Sequence, residues 1–312
     1  IQLKGLGIKR KMPQKLIDDL NNPKIKWIIF INPPYATANN FDKNKKTVNK
    51  DNVSMTAIQK LMTDENMGET SRELFAQFLY RIDKEFFNKQ AYLGLFSTLK
   101  YINANNDQRL RDNIFQYKFE KGFVFNSKNF DGCKREFPVG FLMWDLSKNI
   151  PLENQKIKID VYNFFIEKVA VKIIRSENRK EFLNKWIKRP NCIKKYPPLS
   201  GGFNVASQNK DRRDRISDNF LVSLMSNGND FIHQNYTSIL SGPYVSAGAM
   251  SVTPENFEMS MIVHAVRQIP KSDWLNNRDQ FMQPTKKLSR EFITDCILWS
   301  LFSPSNQTVS LR

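Results

Sequence analysis

Two histidines in 312 residues, His233 and His264, leave almost nothing from which to build a two-histidine metal site or a histidine-based catalytic triad. His264 lies in an apolar helical run and reads as a core or boundary residue. Cysteine is equally sparse. Cys133, Cys192 and Cys296 are far apart and odd in number, so neither a zinc spacing nor a disulfide framework can be drawn from them. That usage fits a reducing, cytoplasmic compartment. No apolar run approaches the length of a membrane-spanning helix, and no signal peptide opens the chain. Internal repeats and low-complexity tracts are missing too. Acid is in short supply: 31 Asp and Glu face 48 Lys and Arg, a net charge of +17. Such an excess favours a polyanionic partner, because each neutralised phosphate releases counterions. A hydrophobic fraction of 40% is that of a folded chain, long enough for one large domain or two ordinary ones.

Ile25-Lys26-Trp27-Ile28-Ile29-Phe30-Ile31 is nearly all apolar, short, and rich in branched and aromatic residues. It predicts a strand buried on both faces at the centre of a parallel sheet, with Trp27 and Ile29 on one side and Ile28 and Phe30 on the other. A short amphipathic helix is expected over 16–20 and another around 55–62, with a longer one from Ser71 to about Asn88. Ala91 to Phe96 reads as the next buried strand, 108–115 as a helix, and 121–126 and 137–146 as two further strands. Strands at 157–165 and 169–174 either extend that layer or begin a second module. A helix carrying Phe182, Leu183, Trp186 and Ile187 is expected to end at Arg189-Pro190. Thr253-Pro254-Glu255 reads as a helix start, an N-cap with proline at the first helical position. A last helix is expected from Ser289 to Phe302.

The segment that carries chemistry is Asn32-Pro33-Pro34-Tyr35, directly after the first strand. In an open α/β sheet the reactive crevice lies beyond the carboxyl ends of the strands. An exocyclic amine conjugated to a purine is a poor nucleophile, because its lone pair is delocalised into the ring. Two acceptors holding its two hydrogens favour a pyramidal nitrogen with the lone pair free. The side-chain oxygen of Asn32 can be one acceptor and the Pro33 carbonyl the other, with two prolines holding the backbone in place beforehand. Tyr35 offers a face on which a base stacks, a contact worth roughly 1–3 kcal/mol. An amine inside a duplex is reached by flipping the base out.

These residues resemble the amino-group DNA methyltransferases, particularly the adenine-specific enzymes of restriction–modification systems. Asn32, Pro33, Pro34 and Tyr35 match the family's fourth motif, which ends its fourth sheet strand. Phe96-Ser97-Thr98-Leu99 looks like its sixth motif, and 126–146 like the loop and hairpin strand of its eighth. The likeness is good over roughly residues 25–150. It implies N6-methylation of adenine with S-adenosylmethionine, double-stranded DNA as partner, and Phe130 as a second aromatic against the flipped base, with Phe125 in reserve. The family's cofactor motif, a strand with a glycine-rich turn and a following acid, has no counterpart. Gly5-Leu6-Gly7 lacks the strand, and Gly201-Gly202 lacks the strand-helix context.

The expected fold is therefore α/β: a partial Rossmann-like methyltransferase sheet, made of the strands after the cofactor half with a terminal hairpin, then a mixed α/β DNA-recognition region. Residues 1–155 are assigned to the carboxyl-side half of the catalytic domain, 156–200 to connecting strands, helix and linker, and 201–312 to target recognition. Lys210, Arg212, Arg213 and Arg215 are expected to hold DNA phosphates on the side of the molecule that carries Tyr35. A missing amino-terminal half or partner subunit would supply the cofactor site, and the chain alone would not turn over. No metal and no membrane are expected. Other readings use the same residues: N4-cytosine or protein-amide methylation, and a non-catalytic DNA-binding remnant.

Overall fold

The structure, a computed structural model, describes residues 13–34, 56–87, 89–130, 133, 135–190, 217, 219–242 and 248–303. They fall into two compact units divided between Glu177 and Asn178.

In the first unit, α1 (Gln14–Asn21) leads into β1 (Trp27–Ile31). Next come α2 (Ala57–Asp64) and α3 (Leu74–Phe86), then β2 (Ala91–Thr98), α4 (Lys100–Asn103) and α5 (Gln108–Asn113). The antiparallel pair β3 (Tyr117–Asn126) and β4 (Pro138–Asn149) follows, then the hairpin β5 (Lys156–Tyr162) and β6 (Lys168–Arg175). The six strands lie in the order β1-β2-β4-β3-β5-β6. β1 and β2 are parallel, β4 is antiparallel to both β2 and β3, and β5 runs parallel to β3. The fold is thus α/β with a mixed sheet. The β3–β4 hairpin expected to end it is followed by β5 and β6, which extend the layer.

One face of this sheet is the core. Leu93, Leu95, Leu142, Trp144, Ile157 and Ile159 have no exposed area. The Trp144 ring packs edge-on against Tyr101 of α4 at 5.9 Å and against Phe115 at 4.9 Å. Trp27 meets Phe86 of α3 at 5.5 Å, and Leu16, Leu20, Ile29, Ile31, Phe78 and Ile82 border the same apolar groove between α1, β1 and α3. Burying such residues is worth about 1.5–3 kcal/mol each. A buried polar cluster locks the connections: Thr70 donates to Asp107, and Arg111 donates to Gln108 and to the Tyr101 carbonyl. Burial pushes the Asp107 carboxyl up and draws Arg111 down to about 10.

The other face corrects the expectation of a strand buried on both sides. The alternation is as predicted, with Trp27 and Ile29 turned to the helices and Ile28 and Phe30 away from them. Yet Ile28 is 83% and Phe30 66% exposed, and β1 lies at the edge of the described sheet rather than at its centre. The reason is that the described helices pack on one side only. Short apolar runs look the same whether a second layer of helices is present or not.

In the second unit, β7 (Val222–Ser226) lies between β8 (Thr237–Leu240) and β9 (Ala249–Val252), antiparallel to both. α6 (Phe257–Gln268) and α7 (Arg290–Phe302) pack with it. Ser289, expected as the first residue of this helix, instead caps α7 by accepting from the Phe292 amide at 3.2 Å. The start of α6 differs from expectation. Asn256 accepts from the Thr253 amide and donates to the Ser251 carbonyl, so residues 254–256 form a turn and the helix begins at Phe257. The helix expected through Phe182 to Ile187 is replaced by 3-10 turns at Arg179–Glu181 and Leu183–Lys185. Phe182 bridges to Met282 and the Leu183 amide donates to Phe281. Pairing with that strand-like segment overrides the helical spacing. His264 is fully buried, 3.0 Å from the Ser300 hydroxyl, as a core histidine.

Candidate active site

Parallel β1 and β2, together with β3, which also opposes β4, end on the same margin of the sheet. Three sequence-predicted features therefore meet there: Asn32-Pro33-Pro34 after β1, Ser97-Thr98 at the end of β2, and Phe130 after β3. The β1 ladder stops at Ile31, which pairs with Leu95. It cannot continue through Pro33 and Pro34, which have no amide hydrogen. Pro33 is buried while Asn32 and Pro34 are exposed, so the loop is anchored by a proline ring with Asn32 held at the surface. Tyr35 lies outside the described residues, as do Lys210, Arg212, Arg213 and Arg215.

Phe130 follows the 3-10 turn Ser127–Asn129 and is 39% exposed. Its amide donates to the Ser127 carbonyl, and its ring lies 5.5 Å from that of Phe125. From there an aromatic series crosses the open face of the sheet back to β1. Phe125 stacks on Phe123 at 6.1 Å, Phe123 meets Phe141 at 5.6 Å, and Phe141 meets Phe96 at 4.6 Å and Phe30 at 5.4 Å. Register explains the row, since Phe96, Phe141 and Phe123 are directly paired across β2, β4 and β3. Gly94 is required within it. A Cβ there would sit 2.8 Å from the Phe141 ring and 3.5 Å from that of Phe30, so only glycine lets the two rings close over β2. Two strands separate β1 from β3, which places Asn32 and the β3 end roughly 14 Å apart along the margin. They stand at separate points of the margin rather than in contact.

Sequence reasoning passed over Ser97 as an individual residue. Its side chain is 1% exposed and its hydroxyl has no hydrogen-bond partner among the described atoms, at the same end of the sheet as Asn32. A buried hydroxyl without a partner costs about 1–3 kcal/mol, and Ser97 shares the buried face of β2 with Leu93 and Leu95. The sequence signal was its place in the strand-ending Phe96-Ser97-Thr98-Leu99.

The described residues do not supply a cofactor cradle. No glycine-rich turn joins a strand to a helix at this margin; β2 passes into α4 through Leu99, and the glycines of this unit's strands lie inside β2, β3 and β4. No group of metal-ligating side chains exists among the described residues, and no described helix is long and apolar enough to cross a membrane.

No protein-family model and no curated protein matches the chain. Among solved structures it is similar to a DrdV–DNA complex, with a TM-score of 0.34 and 12% identity over 71% of this chain and 23% of that one. It is also similar to a nuclease-deletion mutant of the Type ISP restriction-modification enzyme LlaGI bound to a DNA substrate mimic, with a TM-score of 0.32 and 14% identity over 57% and 16% of the two chains. For the Type IIL restriction-modification enzyme MmeI in complex with DNA the values are 0.27, 13%, 55% and 22%. The chain thus spans less than a quarter of each. At TM-scores this low, a function has to come from the chain's own residues.

Proposed function

We propose that the first unit is the catalytic-loop half of an S-adenosylmethionine-dependent DNA methyltransferase acting on the N6 amine of adenine within a restriction–modification system. The observation that carries this reading is the position of Asn32-Pro33-Pro34. It closes a strand at the carboxyl margin of parallel β1 and β2, with Pro33 buried and Asn32 exposed. There Asn32 Oδ1 and the Pro33 carbonyl accept the two amine hydrogens of a flipped adenine. Held so, the nitrogen lone pair turns out of conjugation and becomes available to an electrophilic methyl group. Tyr35 stacks on the base from the β1 side, and Phe130 meets it from the β3 side of the crevice. Lys210, Arg212, Arg213 and Arg215 hold phosphates of the duplex.

The cofactor belongs to a second α/β module, encoded upstream or carried by a partner subunit. The open side of the first unit favours such a module. Parallel strands are ordinarily covered on both faces, and among the described residues β1 has no outer partner and leaves Ile28 and Phe30 exposed. A strand added beside β1 and helices laid over Phe30, Phe96 and Phe141 would complete both layers. A non-catalytic DNA-binding protein is the second reading, favoured by the lack of a cofactor cradle among the described residues. The test is to co-express the chain with the sequence encoded before it and to measure methyl transfer to adenine in duplex DNA. Transfer that requires both parts supports the proposal. DNA binding with no transfer by the assembled protein supports the second reading.

A further inference from the structure

The second unit contains a cavity of about 410 Å³ between the segment 184–189 and the β7–β9 face, a volume that suits a small molecule. Its floor is apolar: Leu224 and Met250, directly paired on neighbouring strands, and Val263 of α6. Its rim carries Lys185, Lys188 and Arg189, and no carboxylate lines it. Lys185 and Lys188 are exposed and have no acidic partner among the described residues. Arg189 is directed inward by donating to the Ala249 carbonyl.

A second observation comes from the wall. Ser226 is 6% exposed, and its oxygen accepts from Arg267 at 2.8 Å. Its own proton has no acceptor among the described residues. Arg267 is fully buried and also donates to the carbonyls of Asn227, Gly228 and His233, so its guanidinium is fixed behind the serine. A hydroxyl polarised in this way is a donor aimed at an anion. Gly248 keeps the adjoining corner open, since a Cβ there would lie 2.1 Å from the Asn227 side chain and 2.4 Å from the Ser226 carbonyl.

From a polarised donor and a basic rim without a carboxylate, we infer that this cavity binds the phosphate of a nucleotide, held between Lys185, Lys188 and Ser226. The nucleotide is either free or one unit of a nucleic-acid chain. The cavity's lining residues take no part in the methyl-transfer reading. The test uses the full chain, with AMP and a fluorescein-labelled duplex as probes. Lys185→Gln/Lys188→Gln should weaken binding of AMP or duplex at least tenfold. The control pair Lys156→Gln/Lys158→Gln, on exposed β5 positions, removes the same charge elsewhere and should change either by less than twofold. If a chain is the ligand, AMP competes with duplex and the pocket pair lowers the salt slope by about two. If the ligand is free, AMP binds and does not displace duplex. Equal effects of the two pairs, or no binding of either probe at the pocket, overturn the inference. Neither Lys185 nor Lys188 takes part in the methyl-transfer reading, so the outcome is separable from the fate of that proposal.

Discussion

An amine held by two acceptors and an aromatic face that captures its base make different demands, and substitutions should separate them. On the proposed mechanism, Asn32→Ala in the assembled enzyme removes one acceptor and leaves the stacking and phosphate contacts. Methyl transfer should fall by orders of magnitude, roughly 10² or more, with DNA affinity within a few-fold of wild type, because the lost contact matters most in the transition state. Single-turnover transfer of labelled methyl groups beside a filter-binding titration checks it, and an undiminished rate would sink the mechanism. Tyr35→Ala should weaken capture and slow transfer together, while Tyr35→Phe keeps most of both. Core residues act otherwise. Trp144 is fully buried among Tyr101, Phe115 and Phe119, so Trp144→Ala should destabilise the first unit by about 3–5 kcal/mol in urea unfolding. His264 gives the second unit a pH dependence. Burial lowers its pKa from 6.5 to about 4, so between those values the unfolded chain binds the proton more readily. Its contribution is complete above pH 6.5 and is lost as pH falls towards 4. Denaturation midpoints at pH 7.5 and 4.5 should therefore converge in His264→Gln.

Among the elements, β1 is the one whose surroundings the sequence could not show. Its apolar alternation made it a strand, and its prolines ended it, because those features are local. Whether both faces are buried depends on what packs there. Ile28 and Phe30, 83% and 66% exposed, are consequently a sensitive pair. Ile28→Lys/Phe30→Lys should shift the unfolding midpoint of this chain very little, since little contact area is lost. The same change should abolish co-purification with the upstream module and with it S-adenosylmethionine binding. Retained assembly would mean that β1 is not the joining edge. The strands β7, β8 and β9 were not legible either. They are short, five, four and four residues, and lie within polar sequence without a sustained period. The segment 182–187 had a helical spacing that backbone pairing to 281–283 overrode. By contrast α3, β2, β4 and α7 were legible, because each combines a run of adequate length with an apolar period or a cap.

For the whole molecule, charge was legible from the start, since a net charge of +17 is a sum over residues and does not depend on their arrangement. The sequence by itself also determined the strand before Asn32, the prolines that end it, and the buried state of His264. All of these follow from residue identity or from spacing within one element. Only the tertiary structure decided the rest. It inserted β4 between β2 and β3, which brings Asn32, Ser97 and the Phe125–Phe130 pair to one margin. It placed the described helices of the first unit on one sheet face and built the basic-rimmed cavity from segments some 80 residues apart in the chain. The physical reason is that strand order, face burial and cavity walls arise from hydrogen bonds and packing between distant segments. Many sequences with the same local periods are compatible with other pairings, and the free energy of long-range contact selects among them.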